Sequence, residues 1–310
     1  MGVDLGGTNL RVAVINAAGT VLARKSVPTE AAGGPDAIIA QILSLAQNLG
    51  GADWVDISAV GVAAPGPLDS GAGVILGIPT LPGWEDFPLR SVLADKFQRP
   101  VVLENDGIAA AFGEWKSGAG QGFGHMVYVT VSTGIGGGVV ADNRLLRGRR
   151  GMAGHVGHML IAIDGPRCAC GAIGCFEALA SGTAFTAAAR HAGFADAAAA
   201  VAAARAGDST AIAVVNHEAD LLGYGFASLL HLYAPQRLIV GGGVAEALDL
   251  MHPRIKAQLN RHAMPPFRDI DIVRAGLGDN SGLVGAAMLA LTGIRQRGCD
   301  GAERVADGTL

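Results

Sequence analysis

Charged side chains are scarce in this chain: Asp, Glu, Lys and Arg make up 16% of 310 residues and leave a formal net charge of −4. That balance excludes the basic footprint on which duplex DNA binding depends. Cysteine is rare too, and of the four present Cys168, Cys170 and Cys175 fall within eight residues while Cys299 stands alone. So uneven a distribution is no disulfide framework and points to metal or redox chemistry in a reducing compartment. The chain contains no G-x-x-x-x-G-K-S/T loop, which disfavours a P-loop nucleotidase. Clean apolar spans are also missing. The Ala-rich stretch 187–206 is interrupted by Arg190, His191, Asp196 and Arg205, so it reads as a helical region broken near Gly193 rather than a membrane segment. Met1 is followed at once by a strand-like run, leaving no room for the n- and h-regions of a signal peptide. The expected location is cytoplasmic, with no nucleic-acid or membrane partner.

What is present is half hydrophobic by composition, enough for two cores at this length. Apolar patterning predicts strands at Gly2–Leu5, Arg11–Ile15 and Val21–Val27. A helix is expected over Pro35–Leu49, from Ile38, Ile42, Leu45 and Leu49, and then a strand over Ile57–Val62. After a Gly- and Pro-rich loop from Ala64 to Gly83 come a helix near Leu89–Phe97 and a strand at Val101–Leu103. A second strand, glycine turn and strand then begin at Met126, and MVYVTVSTGIGGGVVADNRLL repeats the logic of VDLGGTNLRVAVIN. This predicts an internal duplication of architecture, one copy per domain. The remainder reads as mainly helical up to a short strand at Arg237–Val240, and a last helix covers Leu283–Ile294. The expected domains are 1–116, completed by the C-terminal helix at about 286–298, and 117–285. Gly118, Gly120 and Gly122 are candidate linker positions in a glycine-rich boundary segment.

Glycine-rich turns supply backbone N–H groups without Cβ atoms that would hold a phosphate away. Asp4-Leu5-Gly6-Gly7-Thr8 and the run from Thr130 to Gly138, which contains Thr133 and Gly134, also carry hydroxyl groups. Gly241-Gly242-Gly243 lacks them and is better suited to the flat face of a base. The plainer alternative is a set of tight hairpins whose glycines serve only turn geometry. Neither hairpin turn leads directly into a helix, as a dinucleotide-binding fingerprint would.

Two further constellations carry chemistry. Glu104, Asn105 and Asp106 fall between a predicted strand and an Ala-rich helix. A kinase acting on an alcohol needs a carboxylate there to orient the hydroxyl and take its proton; the alternative is that Asp106 only caps the helix. The segment HVGHMLIAIDGPRCACGAIGCFE places His158, Cys168, Cys170 and Cys175 together, one imidazole and three thiols, a full tetrahedral set for structural Zn²⁺. The alternative is three reduced cysteines packed as small hydrophobes.

The two turns resemble the phosphate motifs of the actin and sugar-kinase superfamily. LENDGIAAAFGE at 103–114 resembles the sugar-binding signature of the ROK family (repressor, open reading frame, kinase), and the Gly-His and Cys-x-Cys-Gly-x-x-Gly-Cys pattern resembles its zinc signature. The resemblance spans essentially the whole chain. It implies an α/β, two-domain actin-like/ribonuclease H-like ATPase fold with an interdomain cleft, and transfer of phosphate from ATP to the 6-hydroxyl of a hexose or N-acylhexosamine.

The same resemblance implies residue roles. Asp106 is the catalytic base, and Gly66, Asn105, His155, His158 and Glu177 join it in binding sugar. Asp4, Gly6, Gly7, Thr8, Thr133, Gly134, Gly242 and Gly243 serve ATP, Asp4 positioning Mg²⁺ through water. His158, Cys168, Cys170 and Cys175 hold structural Zn²⁺. A homodimer or homotetramer is implied as well.

Many glucokinases of the family carry Glu where this chain has His155, an exchange of an acceptor for a group that can donate. His-x-Gly-His is similar to some bacterial N-acetylmannosamine kinases, and Thr80 departs from the Asn associated with glucokinases. N-acetylmannosamine is therefore the expected substrate, ahead of glucose and N-acetylglucosamine. Trp84 is either a loop anchor or a sugar contact. From other classes, the competing readings are a ROK-type sugar-responsive transcriptional repressor and a catalytically silent sugar sensor.

Overall fold

The computed structural model describes the backbone of residues 1–50, 57–78 and 81–306, and the side chains of these up to position 294 except at 50. Twelve strands and nine α-helices are described. In the first half β1 (Gly2–Leu5), β2 (Asn9–Ile15) and β3 (Val21–Pro28) lead to α1 (Gly34–Gly50). There follow β4 (Val60–Ala64), β5 (Leu68–Asp69), β6 (Val74–Ile75), α2 (Leu89–Phe97), β7 (Val101–Asn105) and α3 (Asp106–Ser117). The second half holds β8 (Met126–Val131), β9 (Ile135–Ala141), β10 (Arg144–Leu145), α4 (Phe176–Ala180), α5 (Gly182–His191), α6 (Ala197–Arg205) and α7 (Ser209–Tyr233). It ends with β11 (Arg237–Gly241), α8 (Leu248–His262), β12 (Asp271–Arg274) and α9 (Ser281–Ala306).

The expected duplication is visible in the strand order. One sheet runs β3-β2-β1-β4-β7 and the other β10-β9-β8-β11-β12. Each starts as an antiparallel meander whose first strand pairs in parallel with a strand arriving through a crossover, and that strand pairs in parallel with a second one at the sheet edge. Each sheet has its own core. Val3, Val12, Ile42, Val62 and Leu103 belong to the first; Val129, Val139, Phe226, Leu238 and Ile255 belong to the second.

The chain divides into two compact units: residues 1–121, 147–153 and 280–310, and residues 122–146 and 154–279. The sequence division at 116/117 did not foresee that 147–153 would join the first unit. The reason is a local set of polar ties. Arg147 Nε donates to Glu104 Oε2 at 2.9 Å, the Ser70 backbone N–H donates to the Arg150 carbonyl at 3.0 Å, and Arg150 pairs with Asp69 at 3.4 Å.

Two expectations need local correction. The strand placed at Ile57–Val62 begins only at Val60. Carbonyls ahead of it are claimed elsewhere: Arg99 Nε donates to Ile57 O at 2.8 Å, and the N-terminal ammonium of Met1 donates to Ala59 O at 2.8 Å. The loop 64–83 contains the β5–β6 hairpin, whose two-residue strands are too short to leave a periodicity. The edge strand β12 also escaped the sequence reading. Residues 187–206 fall on α5 and α6 with a break between them, and no single described helix is long and apolar enough to cross a membrane.

Candidate active site

In the first unit, parallel pairing aligns the ends of β1, β4 and β7. Asp4 is in register with Ala63, and Ala64 with Asn105. This topology brings Asp4, the loop containing Gly66, and Asn105-Asp106 to one edge of the sheet, where crossover α/β folds expose functional groups. Asn105 is the N-cap of α3, its Oδ1 accepting from the backbone N–H groups of Gly107 at 3.1 Å and Ile108 at 3.4 Å. Asp106 is the first helical residue. Capping thus falls to Asn105, which disposes of the alternative that Asp106 is merely a cap. Asp106 Oδ1 also accepts from Gly107 N at 2.7 Å. Its carboxyl is pushed up to about 6, first by burial, with the charge of Asp4 adding to the rise and the Gly107 N–H opposing it.

Asp4 is held by Arg11, whose Nη1 donates to Asp4 Oδ2 at 2.9 Å. The turn between β1 and β2 is closed by Gly6 N donating to Asn9 O at 3.0 Å, and its entry is tied by Thr29 Oγ1 donating to Gly6 O at 2.7 Å. Gly7 and Thr8 are exposed. Arg11 and Thr29 were not singled out in the sequence, because a strand-face arginine and a threonine after β3 have no motif of their own.

Glu104 is almost wholly buried, at 1% exposure, with Oε1 accepting from Asn105 N and Oε2 from Arg147. Burial raises its carboxyl, and Arg147 works against that rise. Trp84 is fully buried against Phe87, ring centroids 5.2 Å apart, so it anchors its loop. Gly118 N and Gly120 N both donate to the Glu114 carbonyl, which fastens the boundary segment to the end of α3. Thr80 lies outside the described residues.

In the second unit the turn between β8 and β9 holds Ser132, Thr133 and Gly134. Gly182 N donates to Ser132 O at 2.7 Å and Thr183 Oγ1 to Thr133 O at 2.8 Å, so the start of α5 braces the turn. Glu177 reaches the same turn: its Oε2 accepts from Ile135 N at 2.9 Å. A Cβ on Gly134 would collide with that carboxylate. A side chain there would have to displace the Glu177 carboxylate from the turn. Gly157 is more tightly constrained, because a Cβ would strike the Ile135 backbone carbonyl. The single-turn helix Val156–His158 thereby sits close on β9 and sets the rings of His155 and His158 6.2 Å apart. Burial lowers the imidazole pKa of His155, and His158 lowers it further. Gly242 follows β11 and packs against the Val131 carbonyl, and Gly243 opens a short helix beside it.

The four sequence-predicted metal ligands converge. One ligand atom from each of His158, Cys168, Cys170 and Cys175 lies within 4.8 Å of all the others. Cys170 Sγ and Cys175 Sγ are 3.6 Å apart, and Cys168 Sγ is 3.8 Å from His158 Nδ1. A tetrahedron with Zn–S bonds of about 2.3 Å has edges of about 3.8 Å, so the donor set and spacing fit that ion. Cys168 Sγ also lies 3.8 Å from Glu177 Oε1, which links the cluster to the glycine turn. Cys299 falls on the part of α9 whose side chains lie outside the described residues.

Twin sheets of one strand order, a glycine turn in each and a carboxylate at the head of α3 define a two-domain actin-like sugar-kinase fold. The chain belongs to the ROK family, whose model matches residues 1–293. It is 34% identical to a glucokinase of Halalkalibacterium halodurans, over 93% of this chain and 94% of the relative. It is 35% identical to an N-acetylmannosamine kinase of Citrobacter koseri, over 94% and 98% respectively. Among solved structures, a ROK family glucokinase from Streptomyces griseus in complex with glucose and AMPPNP superimposes with a TM-score of 0.83. The two are 34% identical, with 94% of this chain and 98% of that one covered.

Proposed function

We propose that this protein transfers the γ-phosphoryl group of ATP to the 6-hydroxyl of a hexose or N-acylhexosamine. The observation that carries this reading is Asp106: relieved of capping by Asn105, close enough to Asp4 to feel its charge, and raised to about 6. A carboxylate with that pKa is ionised at neutral pH yet basic enough to accept a proton. Asp106 takes the proton of the sugar hydroxyl as its oxygen attacks the γ-phosphorus, and the bond to the β-phosphate oxygen breaks to release ADP.

The other residues bind and orient. Gly6, Gly7 and Thr8 in the first unit, and Thr133, Gly134, Gly242 and Gly243 in the second, serve the nucleotide. Gly66, Asn105, His155, His158 and Glu177 serve the sugar. Asp4 is the residue that would hold Mg²⁺ through water, in keeping with that ion's habit of using one or two carboxylates and the phosphates; when bound it neutralises charge developing on the phosphoryl oxygens. Zn²⁺ in the His158, Cys168, Cys170 and Cys175 set has no open position, so its part is structural. It would fix the loop that leads into α4, the helix that carries Glu177. A cytoplasmic homodimer or homotetramer is the expected working form.

His155 separates two substrate readings. As an imidazole in place of an acceptor-only carboxylate it favours N-acetylmannosamine. Glucose is the second reading, favoured by the similarity to glucokinases. A coupled ADP-release assay with Mg·ATP and N-acetylmannosamine, N-acetylglucosamine, glucose, mannose, fructose and allose tests both. The highest kcat/KM is expected for N-acetylmannosamine. Preference for glucose would retain the mechanism and overturn the role given to His155. Absence of turnover with every sugar would overturn the kinase reading.

A further inference from the structure

Of the three sulfur-bearing residues in the Cys-His cluster, one meets solvent. Cys168 is 4% exposed and Cys175 is wholly buried, while Cys170 is exposed. Cys170 Sγ lies 3.6 Å from Cys175 Sγ. Cys168 is engaged on the other side of the cluster, its Sγ 3.8 Å from His158 Nδ1 and 3.8 Å from Glu177 Oε1. Cys170 and Cys175 are joined by Gly171-Ala172-Ile173-Gly174, whose glycines have left-handed φ of +95° and +79°. Gly174 is pressed onto the Ala162 carbonyl, whereas the side-chain position at Gly171 is open space. Cys175 bridges to Leu160, and Phe176 N donates to Met159 O at 2.7 Å just beyond it. The buried sulfur is therefore anchored, and room to move lies on the Cys170 side.

A disulfide places its sulfurs about 2.05 Å apart, so closing this pair takes a shift of about 1.5 Å from the separation seen here. A cysteine that ligates zinc is deprotonated by the ion itself, and the thiolate is the form that attacks an oxidant. Exposure then decides which sulfur reacts first, and the neighbour within reach decides which one completes the bond. A four-donor zinc site that loses two thiolates keeps half its ligands, too few to hold the ion in a structural site.

We infer that Cys170 and Cys175 are a hydroperoxide-sensitive thiol pair, in which the exposed Cys170 takes the oxidant, the buried Cys175 closes a disulfide onto it, and zinc is expelled. The Cys170 thiolate attacks one oxygen of hydrogen peroxide; the O–O bond breaks, leaving a sulfenic acid and a hydroxide. The Cys175 thiolate then attacks the Cys170 sulfur and displaces the second hydroxide, and solvent protons convert both hydroxides to water. Two thiolates are oxidised by two electrons in all and one peroxide is reduced. This switch rests on the reading that Zn²⁺ fills the His158, Cys168, Cys170 and Cys175 set, and it is independent of which sugar is phosphorylated. Its effect reaches the glycine turn through Glu177, which has Cys168 beside one oxygen and Ile135 N on the other.

The full chain, loaded with zinc by titration, is treated with hydrogen peroxide beside an untreated control while a chromogenic chelator reports free zinc. Peroxide should release all of the bound zinc, and peptide mass mapping should find a Cys170–Cys175 disulfide. Tm should fall by about 5 °C or more, and a dithiol reductant followed by zinc should restore it. Cys170→His keeps a nitrogen donor for the ion but cannot form the bond, so it should hold its zinc under the same peroxide. Zinc retained by the treated parent, release with only sulfinic or sulfonic acids on the cysteines, a disulfide that uses Cys168 instead, or equal zinc loss from Cys170→His would each overturn the inference. A chain that takes up no zinc at all would overturn the metal assignment, and the switch with it, which separates that failure from the others. If Cys170→His does not fold, the mass map of the parent remains decisive.

Discussion

The Oε2 atom of Glu177 accepts a hydrogen bond from the Ile135 backbone N–H at 2.9 Å, joining residues 42 positions apart. With Cys168 Sγ 3.8 Å from its other oxygen, Glu177 ties the glycine turn to the Cys-His cluster. Glu177→Ala removes a charge-assisted bond, with an expected stability loss of about 1–2 kcal/mol. It should raise KM for both ATP and sugar. Glu177→Gln keeps an acceptor and should melt like the parent while raising KM for the sugar alone. An unchanged KM for ATP in the alanine variant would confine Glu177 to the sugar.

Asp106 gives a prediction in pH. Its folded pKa of about 6 lies above the ordinary 3.8, so the acid limb of kcat/KM should fall with a midpoint near pH 6 as the base becomes protonated. The folded state binds this proton more tightly than the unfolded state does. The group therefore costs stability once pH rises through this window, and the cost is absent below pH about 4. Asp106→Asn should lose about 100- to 10,000-fold in kcat. The same variant should be more stable than the parent at pH 7–8, by at most about 3 kcal/mol. Thermal melts at pH 4 and pH 8 alongside steady-state rates check both halves.

The Cys-His cluster should carry one zinc ion per chain by metal analysis. Stripping it with a chelator should lower Tm by about 5 °C or more for a chain of this size. Restoring zinc should recover Tm and activity together. Cys170→Ser should melt like the stripped protein. A metal-free preparation of undiminished Tm would return the three cysteines to ordinary packing.

Arg147 holds a buried acid from a half-exposed position. Arg147→Ala leaves Glu104 uncompensated and should cost about 1–3 kcal/mol, below the full penalty for a buried pair because the arginine is partly solvated. The cost should shrink as pH falls and Glu104 takes up a proton. Glu104→Gln in the same background should recover most of the loss in denaturant melts.

Much of this was legible before any coordinates. The repeated strand, glycine turn and strand at Val3–Asn16 and Met126–Leu146 gave the duplicated sheets, because period-two burial and turn-forming residues are local properties. His158, Cys168, Cys170 and Cys175 lie within 18 residues and their side-chain types leave few chemistries open. Errors arose where a local signal was overridden from afar. Ile57 and Ala59 are apolar enough for a strand, yet Arg99 and the Met1 ammonium take their carbonyls. Asn105 and Asp106 could not be told apart as the cap of α3 until the backbone showed that Asn105 faces the N–H groups of both Gly107 and Ile108.

The sequence alone determined the family, the two α/β halves, the glycine turns, the Cys-His cluster and the carboxylate at the head of α3. Each is encoded by residue type and spacing over a few turns of chain. Only the tertiary structure decided that Glu177 bonds Ile135, that burial and the nearby Asp4 raise Asp106, and that Arg147 bonds Glu104. Those pairings depend on strand order and on how closely helices pack, and neither leaves a mark in local periodicity.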